Sequence, residues 1–201
     1  MKYNPDRHHR RSIRLSGYDY TSPGAYFITI CTHHRERLFG EITNGTMQLN
    51  PLGERVQACW LSLPRQFSRL RLDEYVVMPD HFHGILVLPE KPCRGDAFED
   101  NVPVKTDRYQ SNASPLRPTD ANAVGNRGDR PIGTQSGSIG AIIQNFKSVS
   151  TRRINQIRHT PGIPVWQRSF YDHVIRNDKS MHHIRHYIQT NPSAWKNQTS
   201  L

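Results

Sequence analysis

Two histidines near the middle of the chain and one tyrosine near its end have types and spacing suited to phosphodiester chemistry. His81-Phe82-His83 alternates, and on a β-strand a period of two sends both imidazoles to one face and Phe82 to the other. Such a pair can hold a divalent ion while leaving coordination positions open, as activation of a phosphodiester requires. Taken alone, the H-x-H pattern weighs toward structural histidines. Tyr187 and Asn191 stand four residues apart, one helical turn, so that a phenol and an amide share a face. A tyrosine hydroxyl can attack a phosphodiester whose charge a metal offsets, keeping the bond energy in a phosphotyrosine ester. Ile184 and Ile188 adjoin Tyr187, and that periodicity alone weighs toward a core tyrosine.

Other arrangements of the same residue types carry less. His182/His186 and His183/Tyr187 are also four apart; a helical H-x-x-x-H pair can bind zinc, but no glutamate stands where H-E-x-x-H would place a general base. Solvent-facing histidines are the preferred reading. Glu74 and Asp80 are the carboxylates nearest the histidine pair, although Asp80 equally suits a turn. A histidine-triad nucleotide hydrolase is set aside because Ile85 occupies the next alternating position.

The elements that must position these residues are legible in outline. Pro23-Gly24 opens a β-branched and aromatic strand over Tyr26–Cys31. Asn44-Gly45, between Leu38–Ile42 and Met47–Leu49, predicts a tight hairpin with positive φ. Leu52, Val56, Cys59, Trp60 and Leu63 recur at helical spacing from Pro51 and stop before Pro64. Strands over Leu70–Met78 and Phe82–Leu88 are separated by Pro79-Asp80. A long basic helix runs from Ile139 to Ile157, a short strand over Tyr171–Arg176 follows, and a last helix over Lys179–Thr190 ends at Asn191-Pro192. This order predicts an α+β, ferredoxin-like sandwich in which an antiparallel sheet carries helices on one face. Residues 1–22 read as a basic arm, residues 23–92 and 138–196 as one catalytic domain, and residues 93–137, rich in Pro, Gly, Asn, Asp and Ser, as a disordered insertion.

A formal net charge of +10 over 201 residues, gathered in Arg7–Arg14, Arg65/Arg69/Arg71 and Lys147/Arg152/Arg153/Arg158, suits a polyanion. Arg10, Arg11, Arg14, Lys147, Arg152, Arg153 and Arg168 are candidate phosphate contacts. Tyr18, Tyr20 and Trp166 are candidate platforms for unpaired bases, with core packing as the competing role of Trp166. No apolar run approaches the ~20 residues of a membrane span, and no signal-peptide core follows the basic N-terminus, so a cytoplasmic protein without membrane association is expected. Cys31, Cys59 and Cys93 fit neither a disulfide framework nor a thiolate metal site and read as reduced thiols.

These residues together resemble the single-tyrosine members of the HUH nuclease superfamily, and in particular the REP-associated tyrosine transposases. The likeness rests on Tyr18-Asp19-Tyr20 with Gly24–Ile30, on V-V-M-P-D-H-F-H-G-I-L from Val76 to Leu86 and on I-G-A-I-I-Q-N-F-K-S from Ile139 to Ser148. It continues through Val165–Arg176 to R-H-Y-I-Q-T-N-P from Arg185 to Pro192. About three quarters of the chain takes part. The resemblance implies an HUH-type fold, His81 and His83 as metal ligands, Asn191 as a third ligand in place of a glutamine, and Tyr187 as nucleophile. It further implies a magnesium or manganese cofactor, single-stranded or hairpin DNA as partner, and a monomer or homodimer. Two imidazoles and an amide oxygen would by themselves accept zinc or nickel as well. The competing function class is a hairpin-binding protein without cleavage activity. Two features depart from the family pattern: the length of the 93–137 segment and the shortness of the chain beyond Trp195.

Overall fold

The computed structural model describes residues 15, 17–90 and 135–195. Arg10, Arg11, Arg14 and residues 91–134 lie outside the described residues, and with them most of the expected basic arm and of the expected insertion. In chain order the elements are β1 (Gly24–Cys31), a 3₁₀ turn (His33–Arg35), β2 (Gly40–Thr43), β3 (Thr46–Leu49), α1 (Pro51–Leu61), α2 (Leu63–Gln66), β4 (Arg71–Met78), β5 (His81–Leu88), α3 (Ile139–Arg158), β6 (Tyr171–Ile175) and α4 (Asp178–Ala194).

Local chemistry accounts for most of the boundaries. Asn44 and Gly45 both take positive φ, 51° and 72°, the turn that joins β2 to β3 with matching strand twist. The Asn50 side chain caps α1 by accepting from the Leu52 and Gly53 amides at 3.0 Å each, and Pro51 supplies a first-turn residue that needs no N–H partner. The predicted stop before Pro64 becomes a break rather than an end: Pro64 sits in the first turn of α2, where a proline is tolerated. Asn177 caps α4 by accepting from the Ser180 amide at 2.8 Å. That helix also outruns its predicted end at Thr190 and keeps Pro192 inside its last turn, forfeiting there the backbone bond from residue 192 to residue 188.

The four long strands form one antiparallel sheet in the order β4-β5-β1-β6. With α1 after β1 and α3 after β5, this is the expected ferredoxin-like connection. One face carries Tyr26, Ile28, Ile30, Phe82 and Leu86, packed against Trp60 of α1 and Phe146 of α3. The other face carries Phe27, Ile85 and Ile175, packed against Ile188 of α4. The expectation of helices on one face therefore holds for α1 and α3 and fails for α4. Alternation along β1 and β5 makes both faces apolar, and a second apolar face requires a second cover. Among the described residues no helix is long and apolar enough to cross a membrane.

Trp60 anchors the first layer, its ring 4.5 Å from Phe82 and 5.3 Å from Phe146 between centroids. Gly84 makes this approach possible, because a Cβ there would stand 2.6 Å from the Trp60 ring. Gly84→Ala is expected to destabilise the domain by about 1–3 kcal/mol through overpacking; thermal unfolding of the two proteins checks it, and an unchanged midpoint refutes it.

Candidate active site

The two histidines reach the α4 face because β5 alternates. Phe82 is wholly buried under Trp60, so its neighbours His81 and His83 emerge on the opposite side. Both are buried, their rings 4.6 Å apart. Each has one ring nitrogen already engaged. His81 Nδ1 meets Asp80 Oδ1 at 2.5 Å, and Asp80 Oδ2 in turn receives Arg35 Nε at 3.1 Å. His83 Nδ1 meets Thr29 Oγ1 at 2.8 Å, across the antiparallel register that sets Thr29 opposite His83. Burial, with His81 and Arg35 adding repulsion, brings the His83 pKa down to about 3. Its imidazole is therefore neutral at ordinary pH, with a lone pair to offer.

Tyr187 comes to this place from α4. Its hydroxyl lies 3.3 Å from His83 Nε2, and the Phe27 ring stacks on His83 and meets Tyr187 edge-on. Tyr187 is 45% exposed, so it is no core tyrosine; the apolar contact belongs to its neighbour Ile188. The continuation of α4 through Pro192 keeps Asn191 in helical phase with Tyr187, and both line one cleft of about 720 Å³ together with Thr29, Asp80, His81 and His83. Arg35, Arg37, His34 and Trp195 complete its wall, with the Trp195 ring 5.5 Å from His81.

A β-bulge fixes α4 in position. The β4–β5 register shifts between Leu72 and Tyr75, and with alternation broken the consecutive Asp73 and Glu74 both reach α4. Asp73 takes a bidentate pair from Arg185, at 2.8 and 2.6 Å, and Glu74 Oε1 accepts from Gln189 Nε2 at 3.1 Å. Arg185 and Gln189 are one turn apart and flank Tyr187. The Arg185 guanidinium holds the Asp73 carboxyl below the usual carboxylate range. A depressed carboxylate pKa gives stability that is present above the unfolded value near 3.9 and is lost as pH falls through the folded value. Asp73→Asn is accordingly expected to lower stability at pH 7 by about 1 kcal/mol or less for a partly exposed pair, with the difference from the native chain shrinking as pH falls from about 4 through the depressed folded value. A difference that does not shrink at all as pH is lowered from about 4 would assign the loss to packing instead.

The cleft offers two imidazole nitrogens and the Asn191 amide. Among the described residues no three His, Cys, Asp or Glu side chains are gathered to hold a metal. Glu74 is turned to Gln189, and Asp80 backs His81 from behind. The pair nevertheless fits a divalent ion in one specific respect: a carboxylate on Nδ1 of His81 and a hydroxyl on Nδ1 of His83 orient both Nε2 atoms, the outer support that metal-bound histidines carry. His182, His183 and His186 are exposed on α4.

The predicted DNA contacts are distributed differently. Trp166 is a core side chain rather than a stacking platform: it is 5% exposed, donates Nε1–H to Ser150 Oγ at 2.9 Å and packs on Phe39 and Phe146. Tyr18 and Tyr20 are half-buried and pack edge to face at 5.0 Å, with the Tyr18 hydroxyl 3.2 Å from that of Tyr26, so much of their ring surface is taken by protein. Lys147 spends its ammonium on the Gln167 and Arg168 carbonyls; burial lowers its pKa. Arg152, Arg153 and Arg168 are exposed, but Arg152 and Arg153 belong to α3, on the far side of the sheet from the cleft, and Arg153 donates to Cys59 Sγ. The cations beside the histidines are Arg35 and Arg37. They sit in an aperiodic stretch between a strand and a hairpin, and only their charge distinguishes them in the sequence.

No protein-family model matches the chain. It is 41% identical over 195 residues to an uncharacterized protein of Haemophilus influenzae, a match covering 97% of this chain and 94% of that protein. The chain belongs to the family of that protein. Among solved structures, a REP-associated tyrosine transposase bound to a REP hairpin is 21% identical, with a TM-score of 0.49 over 89% of this chain and 73% of its own. A candidate transposase of Deinococcus radiodurans is 15% identical, with a TM-score of 0.42 over 90% of this chain and 98% of its own. The ferredoxin-like assignment follows from this family member's own strand order.

Proposed function

We propose that this protein is a single-tyrosine, HUH-type DNA transposase of the REP-associated kind, cleaving and rejoining single-stranded DNA at hairpin-forming repeats through Tyr187. One observation carries the reading: the hydroxyl of a half-exposed tyrosine stands 3.3 Å from Nε2 of a buried, neutral histidine, in a cleft shared with a second histidine of the same strand, an amide and two arginines. A core tyrosine or a structural histidine pair would have no reason to share an open cleft. The sequence motifs around both groups support the same conclusion.

In this reading the Tyr187 oxygen attacks the phosphorus and forms a 5′-phosphotyrosine. The P–O3′ bond breaks, the phenol gives up its proton, and the departing 3′ oxygen takes one up. Attack by that 3′-hydroxyl, or by another, reverses the step and rejoins DNA without external energy. His81, His83 and Asn191 would hold a magnesium or manganese ion, whose chemistry when bound is to offset charge on the phosphate and the leaving oxygen. Asp80 and Thr29 orient the imidazoles, and the Asp73–Arg185 pair holds α4 so that Tyr187 faces them. One protomer carries the whole set, so a monomer suffices.

The test is to incubate purified protein with manganese and an oligonucleotide bearing an imperfect hairpin with randomised single-stranded flanks, then to separate products under denaturing conditions. A 3′-labelled strand should become protein-linked while a 5′-labelled one is released with a free 3′-hydroxyl. Absence of any adduct, or transfer of the 5′ label to protein, rejects the proposal; hairpin binding without adduct would favour a binding protein that does not cleave.

A further inference from the structure

Among the neighbours of the histidines that the proposed reaction leaves without a role, Arg35 is the one joined to Asp80 behind His81. Arg35 lies in the 3₁₀ turn after β1, where His34 and Arg35 both take left-handed φ values of 56° and 59°. Consecutive non-glycine residues in that region are uncommon and persist where surrounding structure imposes them. Here the Thr32 amide donates to the Asp80 carbonyl at 2.9 Å and the His33 amide to the Val165 carbonyl at 2.8 Å. The turn is thereby tied to Asp80, the residue just before the strand that carries the histidines, and it delivers Arg35 into the cleft wall.

The guanidinium is only partly committed. Nε rests on Asp80 Oδ2 and Nη1 on Cys31 Sγ, while Nη2 has no partner among the described residues. The Arg35 side chain is 49% exposed while that of Asp80 is 9% exposed, so the guanidinium is open on its solvent side to a second anion. The Asp80 carboxylate keeps its contact with His81 Nδ1 through its other oxygen while Arg35 engages that anion. A planar fork matches two oxygens of a phosphate better than a lysine does.

We propose that Arg35 is a catalytic residue of this cleft, gripping a non-bridging oxygen of the scissile phosphate while Tyr187 attacks. The inference rests on the transposase reading above. Arg35 neither gains nor loses a proton; it neutralises charge that grows on the equatorial oxygens as the Tyr187–phosphorus bond forms and the P–O3′ bond breaks, and it releases the phosphate again on rejoining.

Wild-type, Arg35→Lys and Arg35→Ala proteins are compared for adduct formation on the same hairpin oligonucleotide, with either a normal phosphodiester or an uncharged methylphosphonate at the cleavage position mapped for the wild type. Arg35→Ala should slow adduct formation about 100- to 1,000-fold on the phosphodiester, Arg35→Lys by less, and both should bind hairpin within about tenfold of wild type, as one phosphate contact among several. On the methylphosphonate, where the charge to be neutralised is gone, the wild-type advantage over Arg35→Lys should collapse toward unity. Full activity of Arg35→Ala, or an equal Arg35→Lys defect on both substrates, overturns the proposal and would assign Arg35 to holding Asp80. If the wild type forms no adduct at all, the transposase reading has failed and this inference fails with it; an active wild type with indifferent Arg35 variants rejects this inference alone.

Discussion

Tyr187→Phe is expected to abolish the covalent protein–DNA adduct while leaving hairpin binding within about twofold of wild type. The substitution removes one oxygen and keeps the ring, whose edge meets Phe27. The only hydrogen bond lost is the 3.3 Å contact with His83 Nε2, worth about 0.5–1.5 kcal/mol in a half-exposed setting, so the fold should survive with a small shift in unfolding midpoint. Chemistry, by contrast, loses the atom proposed to become the ester oxygen. Among the described residues no other tyrosine lines the cleft; the Tyr26 hydroxyl, for one, is buried on the opposite layer and donates to the Ser22 carbonyl at 2.7 Å. Adduct formation by the phenylalanine protein at the wild-type rate would remove Tyr187 from the reaction. Loss of binding and of adduct together would make the tyrosine a structural residue after all.

The contrast between Tyr187 and Trp166 shows what was legible in the sequence. Strands whose apolar residues are contiguous, such as β1, and turns with a dedicated dipeptide, such as Asn44-Gly45, announce themselves because local sterics decide them. The element order alone is enough for the ferredoxin-like connection. Periodicity, however, reports that a helix has an apolar face and is silent on which side of the sheet will receive it; hence α4 was expected beside α1 and α3 and lies opposite them. The same silence affects single side chains. Lys147 reads as one more cation on a basic helix, yet two carbonyls from the 167–168 loop claim its ammonium, and Trp166, for which sequence leaves stacking on bases and core packing both open, has its N–H on Ser150 inside the core. The bulge that turns both Asp73 and Glu74 toward α4 breaks the alternation on which strand reading depends. Arg35 sits where no period exists at all. What the sequence carried well was the spacing of reactive groups within an element; what it could not carry was the pairing between elements, which here decides the site.

His81→Ala and His83→Ala are each expected to remove metal-dependent adduct formation to below detection, and to remove measurable manganese binding by calorimetry. With His81, His83 and Asn191 as the proposed donor set, deletion of either imidazole leaves too few ligands to compete with water for the ion. The two substitutions should differ in their cost to the fold. His83 lies under the Phe27 ring and is held by Thr29, so its removal opens a buried space and should lower stability by about 1–3 kcal/mol. His81→Ala leaves the Asp80 carboxylate with one partner, Arg35, and a comparable penalty of about 1–3 kcal/mol for the buried oxygen it strands. Asp80→Asn isolates the supporting contact: the ligand remains while the charge behind it goes, and metal affinity should fall about 10- to 100-fold. Asn191→Ala should weaken binding least, because an amide oxygen is the poorest donor of the three and a water can take its place. Chelation followed by graded return of manganese should restore activity to wild type and Asn191→Ala in proportion to occupancy, and to neither histidine variant. Metal binding that survives His81→Ala or His83→Ala would place the ion elsewhere. Adduct formation that survives thorough chelation would mean that Tyr187 works without any metal, leaving Arg35 and Arg37, the arginines that line the cleft among the described residues, to stabilise the phosphate.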